Sequence, residues 1–348
     1  MDKRRTFVLE RDRVLKGLCV IVLIIALLLL LLYGRQKKAD SLAAVAEPYD
    51  SFIYQNTLYT VSSATDSLQF DTRYFLRAEG SKYYLQLPGE AVRWCDVVER
   101  FVYTDGNCVR TCNIDGRNRE TVYTISDGKY AQIKEVIDYY AVIRRAEKLA
   151  GGASGPAGGY DIVDLVDGTV YEARIGDSAT YAENVLDISD GWLYYSVVSM
   201  SGGENSISRC KLATGQRETL TAASVNTIEF SCVADGYLYF NYEYGAVCRV
   251  PVQGGELEQL SIDFEAVGAK NATGVAEYDG VVYVICYCHS DDMNFLRVFS
   301  LEPETCQISE VASVEADSRR LLNLHMIDGE VVLARLGDAS LRLPILER

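Results

Sequence analysis

Histidine, tryptophan and proline are all scarce in this 348-residue chain, with 2, 2 and 6 copies respectively. The two histidines, His289 and His325, lie outside any H-E-x-x-H or Cys/His ligand spacing, and no C-x-x-C pair exists. No D-x-D-x-D-G calcium loop occurs, and no nucleophile elbow flanks either histidine. No residue is therefore singled out as catalytic, cofactor-binding or metal-ligating. Beyond residue 34 the chain also lacks any long stretch of helical period, which leaves an all-β reading.

Basic charge is missing from most of the sequence. Residues 1–38 hold nine Lys or Arg and three acids, so with −15 overall the remainder, 39–348, carries −21. A surface of that sign repels nucleic acid and anionic lipid, which excludes DNA or RNA as a partner of the folded part. Its simplest role is to keep an exported domain soluble. What is abundant suits sheet: 49% of residues are hydrophobic, 27 are glycine and 24 are tyrosine. Tyrosine fits half-buried strands, where its ring packs while its hydroxyl reaches water.

One long apolar run breaks this pattern. Gly17 to Gly34 is uncharged between Lys16 and Arg35, and at 1.5 Å per residue it extends about 27 Å, close to the hydrocarbon thickness of a bilayer. Six basic residues precede it and three follow closely (Arg35, Lys37, Lys38), which favours a cytoplasmic N-terminus. Ala44-Val45-Ala46 would serve a signal peptidase. However, the run is longer than an ordinary signal core, and basic residues intervene before that site. The expected layout is a basic cytoplasmic tail (1–16), a transmembrane helix (17–34), a linker (35–48) and an extracytoplasmic domain (49–348).

Within that domain one phrase returns. Asp190-Gly191-Trp192-Leu193-Tyr194-Tyr195, Asp235-Gly236-Tyr237-Leu238-Tyr239-Phe240 and Asp279-Gly280-Val281-Val282-Tyr283 start 45 and 44 residues apart, and a weaker copy begins at Asp328-Gly329. Degenerate copies begin at Gln55, Glu99 and Asp138, giving seven starts with a mean step of 45.5 residues. That period is the length of one four-stranded propeller blade. Each copy adds a short apolar strand before the turn (Val185–Ile188, Thr227–Phe230). An Arg-x-x-aliphatic strand follows it (Arg209–Leu212, Arg249–Val252, Arg342–Ile345), and a third strand such as Glu218–Leu220 comes after that. The recurring Arg reads as a solvated or Tyr-stacked strand residue. Gly151 to Gly159 is a low-complexity insertion, read as an exposed loop inside the third copy. Because the chain ends just after the third strand of its last copy, the outer edge is expected to pair with the stretch around Tyr49–Tyr54 or with the linker.

The Asp-Gly-x-aliphatic-Tyr strand, followed by an Arg-x-x-aliphatic strand and a Gly turn, resembles a group of bacterial membrane-anchored β-propellers of unknown function. These are distantly similar to the Tyr-Trp-Thr-Asp propellers of lipoprotein receptors. The resemblance covers about residues 50–348 and is strongest over 185–301. The Tyr-Trp-Thr-Asp signature itself is absent, with Phe101-Val102-Tyr103-Thr104-Asp105-Gly106 the nearest approach. The resemblance implies a propeller fold, for which the seven starts give seven four-stranded blades, and it supplies no active-site residues.

Ten cysteines remain, one of them (Cys19) in the apolar run. Nine outside it cannot all pair within one molecule, and Cys286 and Cys288 alternate on one strand with poor geometry for a bridge. Free, buried thiols in a weakly oxidising exterior are expected. Functionally, the sequence suggests a membrane-tethered, non-catalytic propeller that binds an envelope protein, peptide or glycan without a cofactor. The alternative is an anchored glycan hydrolase or lyase that uses propeller-face carboxylates, and a further one is a spacer subunit of an envelope assembly.

Overall fold

The computed structural model describes residues 3–66, 71–126, 129–148, 154–155, 160–173, 175, 180–199, 205–222, 228–242, 245–290, 293–316, 320–335 and 340–345. One helix, Lys3–Ala43, precedes seven antiparallel sheets in a ring, a seven-bladed β-propeller. The blades span 47–86, 90–124, 130–173, 180–222, 228–259, 269–315 and 321–344, and each is built from one contiguous segment. Blades 1 to 6 have four strands in simple up-and-down order, and blade 7 has three among the described residues. In blade 3 an additional pair of residues, Ser154–Gly155, bonds to the end of the second strand; the rest of the Gly-rich insertion lies outside the described residues. The first strand of every blade is innermost and neighbours the first strands of the blades on either side, so the ring closes.

The repeat is a backbone instruction. All seven starts, Gln55, Glu99, Asp138, Asp190, Asp235, Asp279 and Asp328, adopt a left-handed conformation with φ between 46° and 51°. In the four Asp-Gly copies the glycine is left-handed as well (Gly191 φ 73°, Gly236 φ 78°), the two-residue turn whose twist matches paired antiparallel strands. The strand after the turn is then buried on both faces. Leu193 packs into the core between blades 3 and 4, while the next residue, Tyr194, packs between blades 4 and 5. Leu238 and Tyr239 divide in the same way between the blade 4–5 and blade 5–6 junctions, as do Val284 and Ile285 one blade further on. Alternation sends neighbouring side chains to opposite faces, so a strand sandwiched between two sheets must be apolar throughout. Each large side chain buried there contributes about 1.5–3 kcal/mol.

Six of the seven junctions carry an apolar cluster of this kind, including the Phe52–Trp94 stack (4.3 Å between centroids) between blades 1 and 2. The seventh, between blades 7 and 1, differs. Tyr49–Tyr54, expected as a possible closing strand for the last blade, belongs instead to the innermost strand of blade 1, Glu47–Tyr54. Ring closure therefore uses side chains. His325 Nε2 lies 3.2 Å from Asp50 Oδ1, and Arg342 Nη1 donates to the Asn56 carbonyl (3.0 Å) and to Asn56 Oδ1 (3.2 Å). Ser51, Val332 and Ala334 are buried there with no large aromatic among them.

Two further expectations change. Residues 35–43, expected as linker, continue the helix, whose end docks on blade 1: Ala39 and Ala43 are buried, the latter against Ala64 and Phe75. Lys38 Nζ meets Asp66 Oδ2 at 2.5 Å, and the Tyr84 hydroxyl donates to Asp40 Oδ1. Of the two readings of the recurring arginine, the stacked one holds at Arg209 and Arg249. Both are buried, lying 3.9 Å over Trp192 and 4.5 Å over Tyr237, and each is ion-paired to the fourth strand of its own blade through Glu218 or Glu258. Arg249 also reaches Glu304 of blade 6, which ties neighbouring blades at their rims.

Two glycines separate backbone strain from crowding. Gly191 (φ 73°) has open space where a Cβ would stand, whereas at Gly89 (φ 69°) a Cβ would lie 2.2 Å from the Tyr103 ring and 2.5 Å from the Thr104 carbonyl oxygen. In urea unfolding, Gly191→Ala is expected to cost about 1 kcal/mol through the left-handed backbone alone. Gly89→Ala is expected to cost at least about 3 kcal/mol. Equal losses would mean that Gly89 is not in close contact with Tyr103.

Candidate functional site

The innermost strands surround a central channel of about 820 Å³. Its chemistry is one-sided. Asp96, Glu135, Asp138, Asp187, Glu277 and Asp328 line it, against Arg320 and His325 as the cationic groups. Trp94, Phe230 and Tyr278 add aromatic surface. The carboxylates come from five different blades and gather where the inner strands end, because each inner strand finishes at the same turn of the repeat. Two of the repeat-start aspartates, Asp138 and Asp328, therefore reach the channel.

Several of these groups stitch neighbouring inner strands together. Asp187 Oδ1 accepts the Ile188 N–H at 2.7 Å, and its Oδ2 accepts the Val233 N–H of blade 5, also at 2.7 Å. The Ser231 hydroxyl donates back to the Leu186 carbonyl at 2.6 Å. Arg93 lies 4.0 Å over the Tyr49 ring and 3.7 Å from Glu135 of blade 3. Asp96 accepts the Trp94 indole N–H at 2.8 Å. Asp187 thus acts as a brace in the channel wall, with both oxygens engaged by backbone.

Burial shifts three of the channel acids, Asp96, Asp138 and Asp187, upward. The Asp187 carboxyl is pushed up to about 7 by burial, which outweighs its two backbone hydrogen bonds, and Asp138 and Glu277 push the same way. Burial raises Asp96, opposed by His325 and the Trp94 indole, and burial raises Asp138. For His325, burial alone would lower the imidazole; the hydrogen bond and charge of Asp50, with Asp96 and Glu135, outweigh it and hold the group above its ordinary value. The signs agree: a carboxyl raised on folding favours its neutral form, and a histidine raised on folding favours its charged form. Both contributions are present at low pH and fade as pH rises, Asp187's from its unfolded value near 4 up to about 7.

The sequence placed no residue here. A signal existed in the repeat itself: three positions before the turn residue, blades 5 and 6 carry Cys232 and Ala276, whereas blades 3, 4 and 7 carry Glu135, Asp187 and His325. Ionisable residues at an otherwise apolar inner-strand position mark the channel wall. His289 lies elsewhere, near the hairpin end of blade 6, with Nδ1 2.9 Å from Asn294 Oδ1. Among the described residues, no three His, Cys, Asp or Glu side chains converge as a metal site. Asp291-Asp292 falls outside the described residues.

The nine cysteines beyond the apolar run are free thiols, and seven of them are buried. Burial pushes Cys112 and Cys248 up to about 11 and raises Cys232 and Cys286 well above the ordinary thiol range. Such groups are poor nucleophiles at neutral pH.

No protein-family model and no curated protein matches the sequence. Among solved structures, the computationally designed Ika8 protein aligns over 86% of this chain and 96% of its own, with 12% identity and a TM-score of 0.51. A Mycobacterium tuberculosis puromycin-hydrolyzing peptidase aligns over 85% of this chain at 12% identity and TM-score 0.52. PorZ, an essential bacterial surface component of the type-IX secretion system of Porphyromonas gingivalis, aligns over 87% at 9% identity and TM-score 0.51. The chain corresponds to 51% of the peptidase and 38% of PorZ. At these identities the likeness defines the fold, a β-propeller, and nothing narrower.

Two measurements test the site. Maleimide labelling of the native chain at neutral pH is expected at Cys108 and Cys306 and to spare the seven buried thiols until denaturant is added; fast labelling of Cys232 or Cys286 would contradict the packing. Thermal stability is expected to fall between about pH 4 and about pH 7, and Asp187→Asn should flatten that slope. An unchanged slope would show that Asp187 is ionised throughout.

Proposed function

We propose that this chain is a membrane-tethered, extracytoplasmic interaction propeller without catalytic activity, holding an envelope protein, peptide or glycan at the mouth of its central channel. The observation that carries this reading is the convergence of six carboxylates from five blades on one channel, with aromatic surface among them. Such a mouth attracts cationic groups and repels anionic ones. A rigid ring presenting its turns at one end is a common scaffold for binding.

The tether supports the same reading. The segment Val20–Ala43 has a mean hydropathy of 2.0, and its apolar stretch is not buried by the propeller, so it is long and apolar enough to cross a bilayer. The basic excess before it orients the N-terminus to the cytoplasm and the propeller outside.

A second reading, the anchored glycan hydrolase or lyase, draws on Asp96 and Asp138, two carboxyls raised by burial in one channel beside Trp94. Carboxyls raised toward their neutral form are what general-acid chemistry uses. Against it, Asp187, a channel acid pushed up to about 7, has both oxygens taken by backbone N–H groups.

Affinity capture with the full-length chain in its own envelope membranes separates these. A partner is expected whose retention weakens with added salt and drops several-fold when Asp138→Asn and Glu277→Gln are combined, since each exposed charge contact is worth up to about fivefold. Capture that enriches nothing, or that is indifferent to both salt and the double variant, would count against channel-mouth binding. Turnover of any glycan, lost in Asp96→Asn, would favour the second reading.

A further inference from the structure

A second cleft, of about 1000 Å³, opens where the N-terminal helix leaves the propeller. One wall is the exposed helix face at Leu30, Leu31 and Leu32; the other is the rim of blades 1 and 2, where Thr72, Arg73, Gln86, Glu90, Thr104 and Asp105 gather. The helix is fixed at this angle by Lys38 on Asp66, by Asp40 on Tyr84 and by the burial of Ala39 and Ala43, so the cleft is built into the fold. Its lining is graded: leucines first, then Arg35 one turn later, with both signs of charge on the facing rim.

With Gly17–Gly34 in the bilayer, as proposed above and on which this inference rests, the leucines stand at the outer edge of the hydrocarbon and Arg35 at headgroup level. We propose that this cleft binds one phospholipid with a primary-amine headgroup, of the phosphatidylethanolamine type. Arg35 and Arg73 face the phosphate, Glu90 and Asp105 accept hydrogen bonds from the ammonium, and the leucines flank the upper acyl chains. The lining discriminates among headgroups. A quaternary choline has no N–H for a carboxylate to accept and is held instead by aromatic cages, and among the described residues no aromatic side chain lines the cleft. A purely anionic headgroup would bring no cation to Glu90 or to Asp105, which has Arg110 at 3.4 Å as an ion-pair partner, and it would approach a domain already strongly acidic.

The test uses the full-length chain reconstituted into vesicles of equimolar phosphatidylethanolamine, phosphatidylcholine and phosphatidylglycerol. The chain is extracted in mild detergent, and the lipids it carries are counted by mass spectrometry. Phosphatidylethanolamine is expected to exceed each of the others about threefold to fivefold, the scale of one exposed ion pair. Glu90→Gln with Asp105→Asn should erase that preference while the melting temperature is kept, and Arg35→Ala should lower all retained phospholipid. Equal retention of the three lipids, a phosphatidylglycerol excess, or a preference unchanged in the double variant would overturn the proposal. Alkaline carbonate extraction separates its failure from that of the anchor: a chain that stays with the membranes but shows no headgroup preference sinks this inference alone, and a chain released by carbonate sinks both.

Discussion

The structure depends on strands that are buried on both faces. In an isolated sheet the residues of one face stay wet, but here the second strand of each blade lies between two other blades, and Leu193 and Tyr194, consecutive in sequence, serve different cores. That double burial makes the blades mutually dependent, because a blade alone would expose two oily faces. It also explains the spacing of the repeat. Every second strand must begin at the same radial height, so every preceding turn must reverse the chain in two residues or a near variant, and a left-handed residue recurs at all seven turns.

Closure of the ring departs from this rule at one place. Six junctions are oily, while the seventh relies on the His325–Asp50 contact, the reach of Arg342 to Asn56 and small buried residues. Ring closure joins residues more than 270 positions apart (Asp50 with His325), so it demands the largest loss of chain freedom and cannot draw on local contacts. A polar closure is directional: His325 and Asp50 meet in one geometry, whereas greasy surfaces can slide. The seam therefore sets register more than it adds stability, in keeping with the modest net worth of partly exposed ion pairs.

Much of the architecture was legible because it is periodic. The seven starts at 55, 99, 138, 190, 235, 279 and 328 coincide with the seven left-handed turns, even in the eroded copies where Glu99 or Gln55 replaces Asp. The long apolar helix was legible for a similar reason, since composition alone marks it. What was not legible depends on three-dimensional placement. Nothing in the turn sequence distinguishes Asp328, which lines the channel, from Asp190, which opens the same Asp-Gly turn and does not. The arginine of the third strand read as either solvated or Tyr-stacked because the ring that decides between them, Trp192 or Tyr237, lies on the neighbouring strand, about one hairpin away. Residues 35–43 read as linker because their charges and alanines look solvated until Ala39 and Ala43 meet blade 1.

That last contact changes what the tether can do. A flexible linker would let an acidic propeller drift and rotate, and its channel would sample every direction. Here the helix runs without a break from the apolar run into its seat on blade 1, and the first strand starts four residues after it ends, at Glu47. The direction of the channel is thus tied to the direction of the helix. Repulsion between a domain of charge −21 and an anionic membrane surface would push a loosely held propeller away. A rigid helical stem resists that push without any attraction between propeller and lipid, and Lys38 on Asp66 places the opposing charges where the stem meets the blade. With the helix anchored as proposed, a strongly acidic domain can keep a fixed stance, because orientation is carried by packing and not by surface charge.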